Sequence, residues 1–264
     1  MAAALILGLL AALLLWWVWR PPRPALKAVQ VPAALPPLLD QHLPWRRLLN
    51  AELRARHERQ TQRLIEQLQF IGCNGLRVTD EQIVLVCGIA ALLCLGAEEP
   101  PFPQLRSVLL CPAAFGVRDP EPDELGLVWD EPVETLGESW SGQRVVLSWA
   151  DVEAVLAGDP VNVVVHEFAH QLDDAAPQAE GAPPLPDYTN WSRVMQAEFT
   201  VLQAGKGAVI DPYGAQSPGE FFAVVVEAYF QSGYALAEQH PALYQLMAGY
   251  FGFDTDGLVD ATDR

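Results

Sequence analysis

Two histidines four residues apart, with a glutamate directly after the first, are the residues of this chain best equipped for chemistry. They are His166, Glu167 and His170, within Val163-Val164-Val165-His166-Glu167-Phe168-Ala169-His170-Gln171-Leu172-Asp173. On an α-helix, residues four apart share one face, one turn above the other. Two imidazoles so placed can grip one metal ion, with Glu167 beside them as a proton acceptor. Chance produces such a string about 0.01 times in a chain of this length. The chemistry implied is metal-assisted hydrolysis.

The flanking residues mark a helix. Asp159-Pro160 is expected to cap it and occupy its first turn. Val161, Val163, Val164, Val165, Phe168, Ala169 and Leu172 make it apolar on most sides, so it should be buried. Unpaired imidazoles are costly in such a place, and a metal would satisfy them. Asp173, Asp174 and then Pro177 are expected to end it.

A catalytic zinc takes three protein ligands and keeps one open position. The extended pattern with a third histidine ten residues on is absent. Ala176 stands there, and Asp173 replaces the glycine of that pattern. His42, His57 and His240 have no supporting context. Glu220 and Glu227 remain as sources. Ser217-Pro218-Gly219-Glu220 also fits a capping box, which would engage Glu220 locally. Glu227 is a lone carboxylate in an apolar helix, hard to leave unpaired. Seven residues apart, they share a face. One would be a ligand and the other would hydrogen-bond behind a ligand; spacing leaves the choice open.

The elements that must hold these residues can be read in order. Residues 45–69 form a helix with Leu48, Leu49, Leu53, Leu64, Ile65 and Leu68 inward. Residues 80–95 form a buried helix after Thr79-Asp80. Strands are expected at 107–111, 125–129, 134–140 and 143–149, with a tight turn at Ser141-Gly142. Short helix 150–156 leads to the metal helix. Helices 190–203, 219–231 and about 242–251 follow, and the tail from Asp254 should be loose. The fold class is α+β, mainly helical, with a small sheet beside the metal helix. A strand there would offer an edge to an extended peptide.

The N-terminus differs in kind. Residues 2–19 are unbroken and apolar, ending in Trp16-Trp17-Val18-Trp19 before Arg20, Arg23 and Lys27. Eighteen residues span about 27 Å as a helix, near a bilayer core. One N-terminal transmembrane helix over 1–20 is expected. The basic residues after it place the body in the cytoplasm, anchored to the inner membrane by a single pass. Proline-rich 21–44 reads as an extended tether, 45–253 as the domain that carries the metal helix and 254–264 as an acidic tail.

The formal charge is −17 and uneven. Nine Lys/Arg meet four Asp/Glu through Glu66, but seven meet 29 beyond it. A body this acidic would repel phosphates, which argues against nucleic acid as a partner. Cys73, Cys87, Cys94 and Cys111 form no C-x-x-C pair and read as buried free thiols in a reducing compartment.

Taken with Asp211-Pro212-Tyr213 and Ser217-Pro218-Gly219-Glu220-Phe221-Phe222-Ala223-Val224, the His-Glu segment resembles the Mlc titration factor A family of bacterial zinc-dependent peptidases. The likeness runs from about Trp45 to Phe251. That family's fold is related to the catalytic domain of anthrax lethal factor, so the resemblance implies a zincin-like metallopeptidase domain. It implies one zinc ion bound by His166, His170 and Glu220, with Glu227 behind them. It implies Glu167 as general base for a metal-activated water. Tyr213, seven residues before Glu220, becomes the oxyanion donor. The implied activity is hydrolysis of peptide or protein substrates, aminopeptidase-like on short ones. The family name refers to titration of a transcriptional repressor of glucose uptake. Sequestration of such a repressor, with zinc mainly ordering the fold, is therefore the alternative. The anchor-like segment departs from the soluble members, so location and partner lie outside what the resemblance implies.

Overall fold

A computed structural model describes residues 35–113, 143–176, 180–206 and 209–255. Its sheet has three parallel strands in the order β1-β2-β3: β1 Gln69–Gly72, β2 Ser107–Cys111 and β3 Arg144–Ser148. Helices surround it: α1 Leu35–His42, α2 Ala51–Gln67, α3 Asp80–Ala90, α4 Trp149–Leu156, α5 Val163–Asp174, α6 Thr189–Gln203, α7 Pro218–Gln231, α8 Gly233–Gln239 and α9 Pro241–Phe251. The architecture is mostly helical with a small sheet, the α+β class expected.

Alternation sets the sheet. Val108 pairs with Val145 and Leu110 with Leu147, all buried, while Val146 on the opposite face is 45% exposed. α3 crosses between β1 and β2, the kind of connection that parallel strands need. Thr79 starts α3 through a full capping box with Gln82. Nearly every side chain of α3 is buried, which explains its uniformly apolar sequence. The metal helix α5 packs against β3, α3 and α7.

Several expectations change. The helix foreseen over 45–69 is divided: a 3₁₀ turn at Pro44–Leu48, then α2, whose first turn Asn50 caps. Leu48 is exposed, and Gln69 belongs to β1, a strand too short and mixed to announce itself. The last part of the 21–44 tether is ordered: α1 buries Leu35 and Leu39 despite Pro36 and Pro37, because proline is tolerated in a first turn. The metal helix starts three residues later than Asp159-Pro160 suggests. Asn162 is its cap, accepting from Val165 N at 3.1 Å, while Asp159 accepts from Val161 N. Short α8 was not foreseen.

Two cysteines are not free thiols. The parallel register sets Gly72 opposite Leu110, which carries Cys73 to Cys111 with Cα atoms 4.9 Å apart, and the two are disulfide-bonded. Cys87 and Cys94 are free and buried, as expected. The tail does not loosen at Asp254: Thr255 is fully buried and donates to the Tyr229 carbonyl, and Tyr244 donates to the Asp254 carboxylate. No helix among the described residues is long and apolar enough to cross a membrane. Residues 1–20, the strands at 125–129 and 134–140, and the turn at 141–142 lie outside the described residues.

Candidate metal centre

α5 brings one face of the His-Glu segment to α7. His166, Glu167 and His170 are half-buried, while Val164, Val165, Phe168, Ala169 and Leu172 are fully buried in the core. α7 begins at Ser217, whose hydroxyl accepts from Glu220 N at 3.1 Å. Only this half of the expected capping box forms. The Glu220 carboxylate turns away from the cap, and its Oε2 lies 3.1 Å from His166 Nε2 and 3.5 Å from His170 Nε2.

The two histidine Nε2 atoms are 3.2 Å apart, and ligand atoms of His166, His170 and Glu220 all lie within 4.8 Å of one another. Three lone-pair-bearing atoms from two helices thus face a common point. Two imidazole nitrogens and one carboxylate oxygen are a donor set suited to a divalent ion such as zinc. The residues present therefore fit a metal.

Behind the cluster, Glu227 Oε1 lies 2.6 Å from His166 Nδ1, and its Oε2 accepts from Asn162 N at 2.9 Å. A carboxylate there makes Nδ1 the protonated nitrogen, which leaves the Nε2 lone pair toward Glu220. Asn162 therefore does two things: its side chain caps α5 and its backbone steadies Glu227. That role was missed, although an Asn before an apolar run is a cap signal. Burial works against protonating His166, but Glu227, joined by Glu167 and Glu220, outweighs it and raises the ring's pKa.

Glu167 is held above the usual carboxylate range, first by burial and then by Glu220 and Glu227, against the pull of both histidines. Tyr213 sits on a 3₁₀ turn, Pro212–Ala215, where Asp211 accepts from Tyr213 N at 2.8 Å. Its ring centroid is 6.0 Å from that of His166, and its side chain is half exposed. The Glu220 charge, then burial, then Glu167 raise its pKa, so the phenol keeps its proton and can donate it in a hydrogen bond. The remaining histidines lie elsewhere, as their lack of context suggested: His42 near Glu81, His57 beside Arg46, His240 on Glu198.

Comparison with known proteins gives the family of the chain. The model of the glucose-regulated metallo-peptidase M90 family matches residues 16–252. The chain belongs to the M90 family. An uncharacterized protein of Synechocystis is 36% identical over 231 residues, 82% of this chain and 84% of that one. Mlc titration factor A of Klebsiella pneumoniae is 33% identical over 220 residues, 76% and 82% of the two chains. Its Escherichia coli namesake is 30% identical over 232 residues, 80% and 86%. The M90 assignment makes this a metallopeptidase-family chain, and the cluster of His166, His170 and Glu220 is where that family's metal can be held.

Proposed function

We propose that the chain hydrolyses peptide bonds at a single zinc ion held by His166, His170 and Glu220. The observation that carries this is the convergence of those three ligand atoms from α5 and α7, with half-buried Glu167 at their side. Bound there, zinc would supply Lewis acidity to a water molecule and to the scissile carbonyl. Glu167 takes a proton from the attacking water on a carboxylate oxygen and delivers it to the leaving amine nitrogen; its raised pKa suits both steps. The Tyr213 hydroxyl donates a hydrogen bond to the developing oxyanion. Glu227 keeps the His166 ring turned so that Nε2 faces the cluster. Aminopeptidase-like cleavage of short peptides is the form of activity proposed.

The test is Glu167→Gln. Hydrolysis should fall by about 10²–10⁴ while zinc content, measured by atomic absorption, stays at one per chain. Retained hydrolysis would remove Glu167 from the mechanism; absent zinc in the parent chain would remove the mechanism itself.

A second reading comes from relatives named Mlc titration factor A. Binding of a repressor, with zinc ordering the fold, predicts that Glu167→Gln leaves a repressor complex intact. The apolar run at 2–19 followed by Arg20, Arg23 and Lys27 supports a membrane-anchored form facing the cytoplasm. The Cys73–Cys111 disulfide weighs against that side, since disulfides persist in oxidising compartments. Fractionation with thiol alkylation decides: a membrane fraction with both thiols reduced supports the cytoplasmic face, an intact disulfide the opposite one.

A further inference from the structure

A cleft of about 770 Å³ opens where α5 ends and α7 begins. Leu185, Tyr188, Trp191, Met195, Phe199 and Phe221 give it an apolar wall, and Glu180 is the one charged side chain among the described residues that line it. The metal cluster does not line this cleft, but two helices tie them together. On α5, Asp173 stands three residues after His170, less than one turn. Its Oδ1 accepts from Gly181 N at 2.8 Å and Ala182 N at 2.9 Å, both in the cleft wall. Trp191 Nε1 in turn donates to the Gly181 carbonyl. Gly181 has φ +78°, and a Cβ there would meet the Pro218 carbonyl oxygen at 2.6 Å, so glycine lets this loop close onto α7. On α7, Pro218 lines the cleft and stands two residues before Glu220.

We propose, resting on the hydrolase reading above, that this cleft receives an apolar side chain of the peptide substrate and so selects which bond is cut. The volume falls within the ~300–1,000 Å³ of ligand sites. Burial of apolar area drives such a fit, and a wall without cationic groups gives an acidic side chain nothing to pair with. Asp173, which stands where the extended histidine pattern has glycine, holds the cleft wall to the metal helix.

The test uses the zinc-loaded full chain and peptides differing only in one residue beside the scissile bond. Leucine or phenylalanine should be favoured over aspartate by about tenfold or more in kcat/KM. Ser192→Trp fills the cleft from an exposed lining position and should abolish that preference. Ala197→Trp, exposed on the same helix but outside the cleft, should keep it. A binding arm needs no turnover: fluorescence anisotropy of a labelled phenylalanine peptide on zinc-loaded Glu167→Gln, where Ser192→Trp should weaken binding by about tenfold or more. If peptides are cut without preference, or Ser192→Trp changes neither selectivity nor binding, the cleft proposal is overturned and the hydrolase stands. If nothing is cut yet the labelled peptide binds in the cleft, the hydrolase reading fails and the site survives.

Discussion

Two histidine centres in this molecule use similar side chains to opposite ends. His57 is fully buried, and both ring nitrogens are committed: Nδ1 meets Arg46 Nη1 at 2.5 Å, and Nε2 lies 2.7 Å from the Gly88 carbonyl. Arg46 is itself fully buried and also pairs with Asp40 at 3.0 Å and Glu58 at 2.8 Å. Every charge there has a partner, and α1, α2 and α3 are joined through it. Burial, aided by Arg46 and opposed by the Gly88 carbonyl and Asp40, holds His57 down at about 3, so it stays neutral. At His166 only Nδ1 is committed, to Glu227. Its Nε2 faces the acceptor atoms of Glu220 and His170. The difference is one of donors. Arg46 brings protons to the first centre, whereas the second gathers lone pairs, the arrangement that suits a cation. A histidine cluster is best read by counting what each nitrogen faces.

Substitutions can break this contrast. The largest effect should be at His170→Ala, which removes one of the three proposed ligands. The rise in melting temperature on adding zinc should vanish, while the metal-free chain unfolds close to the parent; a preserved rise would place the ion elsewhere. Tyr213→Phe should lower kcat by about 10²–10³ with zinc affinity unchanged, because Tyr213 faces the site without joining the ligand set. A rise in KM alone, with kcat unchanged, would make it a binding residue. Glu227→Gln keeps the shape but weakens the hold on His166, and zinc affinity in a competition titration should drop about 10- to 100-fold. No change would leave Glu227 a purely structural group.

A pH titration sharpens the other side. His57 binds a proton in the unfolded chain below its ordinary 6.5 but resists one in the folded chain down to about 3. The unfolded state therefore holds more protons in that window, and stability must fall as pH drops from 6.5 towards 3. The slope attributable to His57 is about 1.4 kcal/mol per pH unit. Unfolding free energies from denaturant titrations of the parent and His57→Gln, from pH 7 to 4, should diverge with that slope below pH 6.5; parallel curves would show that His57 is not the titrating group.

How much of this was legible differs by residue. The His166-Glu167-His170 face is local: four residues make one turn, so a helix assignment suffices. Thr79 and Ser217 announced their helices for the same reason, since a cap acts within three residues, whereas Asn50 was read inside a longer helix over 45–69. The start of α5 was misplaced because Asp159-Pro160 reads as a cap and first turn, whereas Asn162 caps the helix and its backbone N–H donates to Glu227, 65 residues away. β1 was missed because four residues carry too little pattern to separate a strand from a helix end.

Sequence by itself determined the pair of imidazoles, the glutamate between them, the apolar helices that bury them and the acidic character of the body, all set by residue type and short spacing. Tertiary structure decided the rest. Glu220 and Glu227 share a face of α7 but lie about 10.5 Å apart along it, so only the packing of α7 on α5 sets Glu220 at Nε2 of His166 and Glu227 at Nδ1. Cys73 and Cys111 meet only because β1 and β2 run parallel in one register. Such contacts depend on how whole elements are placed, and no short window of residues contains that information.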